Sequence, residues 1–409
     1  CSLLFVDAPL EFSLLTYNED QICEVLTHYL SLPKKYDPFI NRLVECLSPI
    51  VRKYESIKIK KLALMLKNKA TEIAKNKKQV CPFLFSQLAQ FPDGSVKPCC
   101  WLGSYDLGKT KDNTYLDVWN GVEIKKLRSQ HLNGEASVCT DKMKNIACHK
   151  THENLHPLLD LSVEQSSPPT RLDWFFNGKC NLQCKSCYNW HYDEEFAGSD
   201  AAWEGLQRDI LPYICEIDLK GGEPFFQKRT FQLIKTMKVI NPTCVWDITT
   251  NGQIAFNQEL KNHIDGLILG TFAVSVDSLK EERFRVLRKG GELKKVLNFL
   301  EQLIQYNKER EPGKKYNICL NYVIQKENWD EVGDLVEFCK QKSILLYIIP
   351  MVDPIQYSIY DLSKNELTEI YKKIELLDQH YPNTRTLQNL RDSIAKELMM
   401  NLPPQELSK

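Results

Sequence analysis

Residues 171–187 read RLDWFFNGKCNLQCKSC, a strand-forming run followed at once by three cysteines within eight positions. Outward from it the chain repeats one pattern. Strand-like runs recur at CEIDLKGG (215–222), CVWDITTNG (244–252), GTFAVSVDS (270–278), KYNICLNYVIQ (315–325) and ILLYIIPMV (344–352). Helix-like segments lie between them, around 203–213, 227–240, 257–264, 281–308 and 329–342, with another at 363–380. Six strands each followed by a helix imply parallel strands joined by right-handed crossovers. Both faces of such a sheet are expected to be covered, in keeping with apolar strand interiors. Six units are too few for a closed eight-unit barrel. The expected fold class is therefore α/β, a partial (β/α)6 barrel over residues 171–380. Chemistry in barrel-like sheets sits at the C-terminal strand ends.

Cys180, Cys184 and Cys187 fall on the loop after the first of these strands. Three thiolates so placed can hold three irons of a cubane cluster, leaving the fourth iron open to a small molecule. A zinc site is the competing reading, but zinc motifs usually complete a tetrahedron with a second, distant cysteine pair.

The triplet resembles the signature of the radical S-adenosylmethionine (SAM) superfamily, and the resemblance extends over residues 171–352. Gly221-Gly222-Glu223-Pro224 ends the second strand, where the family carries a GGEP motif contacting the SAM amino group. Asn251, within Thr250-Asn251-Gly252, ends the third. Ser275 and Asp277 end the fourth, resembling the family's S-x-D. Arg288, before Gly290-Gly291, falls where an arginine approaches the SAM carboxylate, and Asn321 falls where relatives turn a polar residue toward SAM. Ser186 departs from the aromatic residue many members place before the third cysteine; either Tyr188 or Trp190 takes that place against adenine, or adenine is held differently and both aromatics pack the loop against the barrel rim. The resemblance implies a [4Fe–4S] cluster that cleaves SAM to a 5′-deoxyadenosyl radical, which abstracts hydrogen from substrate. The residue types suit that chemistry, since a carboxylate accepts from an amino group and a guanidinium binds a carboxylate with charge-assisted bonds.

A second cysteine set lies upstream, in residues 79–156. CPFLFSQLAQFPDGSVKPCCW (81–101) reads as a strand, a Pro92-Asp93-Gly94 turn and a returning strand. Cys81 and Cys99 around that hairpin, with Cys139 and Cys148, resemble the ligands of an auxiliary [4Fe–4S] module of the SPASM or twitch type. Here the module precedes the barrel instead of following it. Cys100 competes with Cys99, since neighbours on a strand point to opposite faces and only one should be a ligand. Zinc is the alternative, with Cys148, His149, His152 and His156 as ligands. The other cysteines read as small buried hydrophobes.

The chain of 409 residues balances 53 basic against 53 acidic side chains. That balance argues against a surface built throughout to grip nucleic acid, and no apolar run reaches the length of a membrane span. Fifteen cysteines, odd in number and unevenly spaced, do not suggest a disulfide framework. The first residues lack the pattern of a secretory signal, so reduced thiols in the cytoplasm are expected. Residues 1–78 read as a helical region, and 51–78 hold ten basic residues against Glu55 and Glu72. Such a segment is either a solvated helix face or a dock for a membrane surface or an acidic partner such as a leader peptide. Residues 157–170 read as a linker and 381–409 as a final helix and tail.

By resemblance, enzymes with such modules modify peptides or protein side chains, the auxiliary cluster relaying an electron. A peptide or protein substrate is thus expected, with a flavodoxin or ferredoxin as electron donor. A small-molecule dehydrogenase, an RNA-modifying enzyme and a non-catalytic iron–sulfur or zinc scaffold are the alternatives. No catalytic acid, base or second hydrogen donor stands out.

Overall fold

The computed structural model describes residues 19–31, 57–74, 81–100, 105–135, 160–175, 178–187, 200–382 and 384–400. Its centre is a nine-stranded sheet. Six parallel strands form the main part: β4 (Arg171–Phe175), β6 (Glu216–Lys220), β7 (Val245–Thr250), β8 (Ile268–Ser275), β10 (Asn317–Ile324) and β11 (Leu345–Pro350). They lie side by side in chain order, as repeated strand–helix units with uniform crossovers require. The upstream hairpin completes the sheet. β1 (Gln87–Gln90) and β2 (Ser95–Lys97) are antiparallel around Gly94, whose φ of 78° is one that glycine adopts without steric cost. β3 (Gly108–Lys109) pairs with β2, and β1 pairs in parallel with β4, Gln87 opposite Arg171. The cysteine-rich module and the parallel strands therefore share one sheet, which the sequence did not indicate.

Helices cover one face. Leu293–Glu309 buries Val296, Phe299, Leu300 and Leu303 at helical spacing, and Lys228–Ile240 buries Leu233, Ile234 and Met237. They pack on Leu219, Trp246, Ile248, Phe272 and Val274, all almost wholly buried.

Three expectations change. The helix read over 281–308 is two helices, Glu281–Leu287 and Leu293–Glu309. Between them Gly290 takes a φ of 90°, and Arg288–Lys289 forms a strand, β9, against β5 (Gln183–Cys184). The sheet is not apolar on both faces: Arg171, Asp173, Asp218, Lys220 and Asp247 alternate with the core residues and line a cavity. The described part of the linker is pinned, with Trp119, Asn120 and Arg128 donating hydrogen bonds of 2.8–3.0 Å to the carbonyls of Ser167, Gln165 and Val163.

The helices Glu19–Ser31 and Ile57–Ala74 pack together through Ile22, Leu26, Ile59, Ala63 and Leu66. Lys58, Lys60 and Lys61 are exposed, as a solvated basic face would be. No helix among the described residues is long and apolar enough to cross a membrane.

Candidate functional site

The cysteine loop is anchored by the segment that ends β6. Lys179 O, just before Cys180, accepts hydrogen bonds from Glu223 N–H (3.0 Å) and Gln227 Nε2 (3.1 Å). Gly222 lies so close beneath that a Cβ there would stand 2.2 Å from Lys179 O and 2.5 Å from Gly178 O. Both obstacles are backbone, so only glycine fits. The far side of the loop is held by β5 and β9, with Cys184 opposite Arg288, and by Lys185 N–H donating to Leu287 O.

Glu223 is fully buried and ties β6 to β7. Its Oε1 accepts from Thr250 Oγ1 (2.7 Å) and Phe225 N–H (3.3 Å), and its Oε2 from Asn251 N–H (2.7 Å). A carboxylate offers about four acceptor positions, and these bonds take three. Burial pushes the carboxyl up to about 7, against the lowering effect of those donors. Asn251 turns to the cysteine loop, its Nδ2 donating to Asn181 Oδ1 at 2.8 Å and to Cys180 Sγ at 3.5 Å. Pro224 opens the short turn Pro224–Phe226 that follows.

Arg288 is buried, with Nε 2.8 Å from Asp277 Oδ2, while Asp277 Oδ1 accepts from Val323 N–H. Although burial opposes its charge, Asp277 and the nearby Cys184 and Cys187 raise the guanidinium's affinity for its proton. Among the described residues its two Nη groups make no protein hydrogen bond. Ser275 and Asn321 are register partners on β8 and β10.

The donor set fits an iron–sulfur cluster. Cys180 Sγ accepts from Leu182 N–H (3.4 Å) as well as from Asn251, the environment of a sulfur that carries negative charge. Burial pushes the Cys180 and Cys184 thiols up, to about 11 and about 12, so iron binding must displace their protons. Among the described residues no three Cys, His, Asp or Glu side chains converge on one metal ion. A cubane asks for something different, because each thiolate takes its own iron.

In the upstream module Cys81 and Cys99 are both buried in the core, and neither is in a disulfide. Cys100 points the other way, into a cavity of about 1180 Å³, beside Asp173 and Lys220. Phe83 and Gln87 of the module line the same cavity, as do Thr249, Ala273 and Asn321 of the parallel strands. Tyr188, Cys139 and Cys148, with Trp190 and the three histidines near Cys148, lie outside the described residues.

The cavity's charged wall went unread in the sequence. Arg171, Asp173, Asp218 and Lys220 were visible as charges at every second position of RLD and EIDLK, and Asp247 as the charge that ends VWD. That period marks a polar face.

Residues 81–148 match the SPASM family, an iron–sulfur cluster-binding domain, and residues 168–290 match a 4Fe-4S single cluster domain, Fer4_12. Curated relatives include "Probable GTP 3',8-cyclase" of Methanocaldococcus jannaschii, 26% identical over 207 residues, covering 48% of this chain and 65% of that protein. The GTP 3',8-cyclase of Clostridium perfringens is 27% identical over 203 residues, covering 48% and 59% respectively. That of Helicobacter pylori is 26% identical over 181 residues, covering 43% and 53%. The chain thus spans between about half and two thirds of their length. Among solved structures, Streptococcus suis SuiB bound to S-adenosylmethionine is similar over 64% of this chain and 58% of its own, with 17% identity and a TM-score of 0.39. The cluster-binding match begins and ends on Cys81 and Cys148, two of the expected auxiliary ligands, and the single-cluster match runs from before β4 to Gly290. A SPASM match thus stands ahead of a 4Fe-4S single cluster match that holds the cysteine triplet, a make-up similar to that of radical SAM enzymes carrying an auxiliary cluster module.

Proposed function

We propose that this chain is a radical SAM enzyme that modifies a peptide or protein side chain held between its two clusters. One observation carries the proposal: a single cavity is walled by Cys100 of the SPASM module and by Asn321 and Thr249 of the parallel strands. The six parallel strands would wrap this cavity as a partial barrel, with the module covering residues 79–156. Cys180, Cys184 and Cys187 would hold the first [4Fe–4S] cluster; Cys81, Cys99, Cys139 and Cys148 the second. When bound, the first cluster and SAM supply a carbon radical that removes a hydrogen atom from substrate. Arg288 would bind the SAM carboxylate through its Nη groups, and the remaining acceptor position of Glu223 would serve the amino group. Asn251, Ser275 and Asn321 would orient the rest of SAM. The auxiliary cluster would take the electron left on the substrate, and a flavodoxin or ferredoxin of the cytoplasm would reduce the first cluster.

Anaerobic reconstitution tests this. About eight irons per chain are expected for two cubanes, with SAM cleaved once a low-potential reductant is added. A zinc-only protein inert toward SAM would overturn it.

The activity of the relatives, GTP 3',8-cyclases, favours a second reading, a small-molecule substrate such as a nucleotide. Supplying GTP to the reconstituted protein separates the two: a GTP-derived product supports the second reading, and an unchanged nucleotide leaves the first.

A further inference from the structure

Across the cavity wall, three aspartates stand in register on adjacent strands: Asp173 on β4, Asp218 on β6 and Asp247 on β7. Glu216 joins them. Two cations on the same strands pair with these carboxyl groups, while Lys340 and Arg385, from other elements, also line the cavity. Arg171 pairs with Glu216 and, at 3.6 Å, with Asp218; Lys220 reaches Asp218 at 2.6 Å and Asp173 at 3.2 Å. Asp173 is 2% exposed, and its Oδ1 makes no hydrogen bond, only that ion contact. Asp247 lies at the end of the row, where Arg171 acts on it through its charge without forming an ion pair. Among the described residues it has no ion pair of its own, and burial together with the neighbouring Glu216 carboxyl raises its affinity for a proton.

The backbone makes room for that carboxylate. Trp246 pairs with Leu269 and Asp247 with Thr271, so Gly270 is the extra residue of a β-bulge. A Cβ on Gly270 would stand 2.6 Å from Asp247 Oδ1. Bulges of this kind re-aim a side chain, and this one sets Asp247 in the cavity wall.

We propose that the cavity takes a substrate bearing a guanidinium or protonated amine, which docks on Asp247 and supplies the ion pair that Asp247 lacks. In a peptide that group is an arginine or lysine side chain. The inference rests on the cavity being the substrate site. The charged groups facing Asp247 are Glu216 and Asp218 of β6 and Arg171 of β4, while β8 presents Gly270 and Thr271. Burial and the neighbouring carboxylates push Asp247 up to about 8. A cation favours ionised Asp247, so binding strengthens as pH rises through about 8 and is accompanied by proton release.

Calorimetric titration of the full chain with propylguanidinium, against its neutral isostere propylurea, tests this. The guanidinium should bind about tenfold or more tightly at pH 8.5, weaken about twentyfold by pH 6.5, and release a proton that appears as buffer-dependent heat. Asp247→Asn should abolish the preference and the pH dependence while propylurea binding persists. Gly270→Ala, which crowds the carboxylate without removing it, should do the same and decides the matter if Asp247→Asn fails to fold. Equal affinities for the two probes, or a preference that survives both substitutions, would overturn the inference. SAM cleavage by the same preparations keeps the readings apart. Guanidinium selectivity without SAM cleavage sinks the proposed function alone; SAM cleavage without selectivity sinks this inference alone.

Discussion

Arg288 Nε lies 2.8 Å from Asp277 Oδ2, and both side chains are more than nine-tenths buried. One partner belongs to the two-residue strand beside the cysteine loop; the other sits just past the end of β8. The pair therefore fastens the candidate cluster loop to the parallel sheet. Removing one member of a buried pair strands the other charge, which typically costs about 3–5 kcal/mol. Arg288→Gln is expected to lose stability of that order in urea unfolding. Asp277→Asn in the same chain should recover part of it, because the neutral amide still accepts from Val323 N–H. SAM affinity of the folded double variant should remain weak, since the guanidinium is gone. Recovery of SAM binding with the amide pair would show that Arg288 is only a structural tie.

Glu223 gives the fold a pH dependence. Burial raises its carboxyl to about 7, above the ordinary 4.5 of a glutamate. A group raised in the folded state stabilises below its unfolded value, and that contribution is lost as pH rises through the folded value. Between about pH 5 and 7 the loss approaches 1.4 kcal/mol per pH unit. Glu223→Gln should flatten this part of the stability profile, measured by denaturant titration of the metal-free chain. An identical slope in both proteins would mean that Glu223 stays ionised throughout.

Much of this site was legible in the sequence, for particular physical reasons. Gly222 stands out because a motif glycine marks a place where backbone meets backbone, and here it lies under Lys179 O. Cys180, Cys184 and Cys187 stand out because thiols at that spacing have few other uses. The alternation of strands and helices carried the order of the parallel sheet. The partner of β1 was not legible, since the pairing of Gln87 with Arg171 joins segments 84 residues apart and depends on shape alone. The role of Glu223 as a cross-strand tie was hidden as well, because its donors are mostly backbone N–H groups that no residue type announces.

Gly222 and Gly205 should respond oppositely to alanine. At Gly222 the new Cβ meets two carbonyl oxygens below 3 Å, and neither can move without shifting Cys180. Gly222→Ala is expected to fold with a displaced loop and to reconstitute about half the iron, the auxiliary cluster alone. Gly205 lies inside the helix Asp200–Asp209, where the nearest atom to an added Cβ is 3.9 Å away. There alanine should stabilise by about 0.5–1 kcal/mol. Full iron content in Gly222→Ala would break the link between this glycine and the cluster loop.

Cys99 and Cys100 are adjacent yet face different surroundings, Cys99 the module core and Cys100 the cavity beside Asp173 and Lys220. A thiolate ligand cannot serve both sides, so only one of the two would belong to the proposed auxiliary cluster. Its fellow candidate Cys81 is buried in the same core as Cys99. Cys99→Ser should therefore lose about half the reconstituted iron, whereas Cys100→Ser should keep it all. Because serine at a buried site also tests packing, alanine at each position serves as the control: the small cavity at Cys99 lowers stability, but iron loss should follow the missing sulfur in both variants. If Cys100→Ser loses the iron and Cys99→Ser retains it, the cluster opens onto the cavity. An iron of that cluster would then face the substrate directly, and electron relay through an enclosed auxiliary cluster would no longer describe this protein.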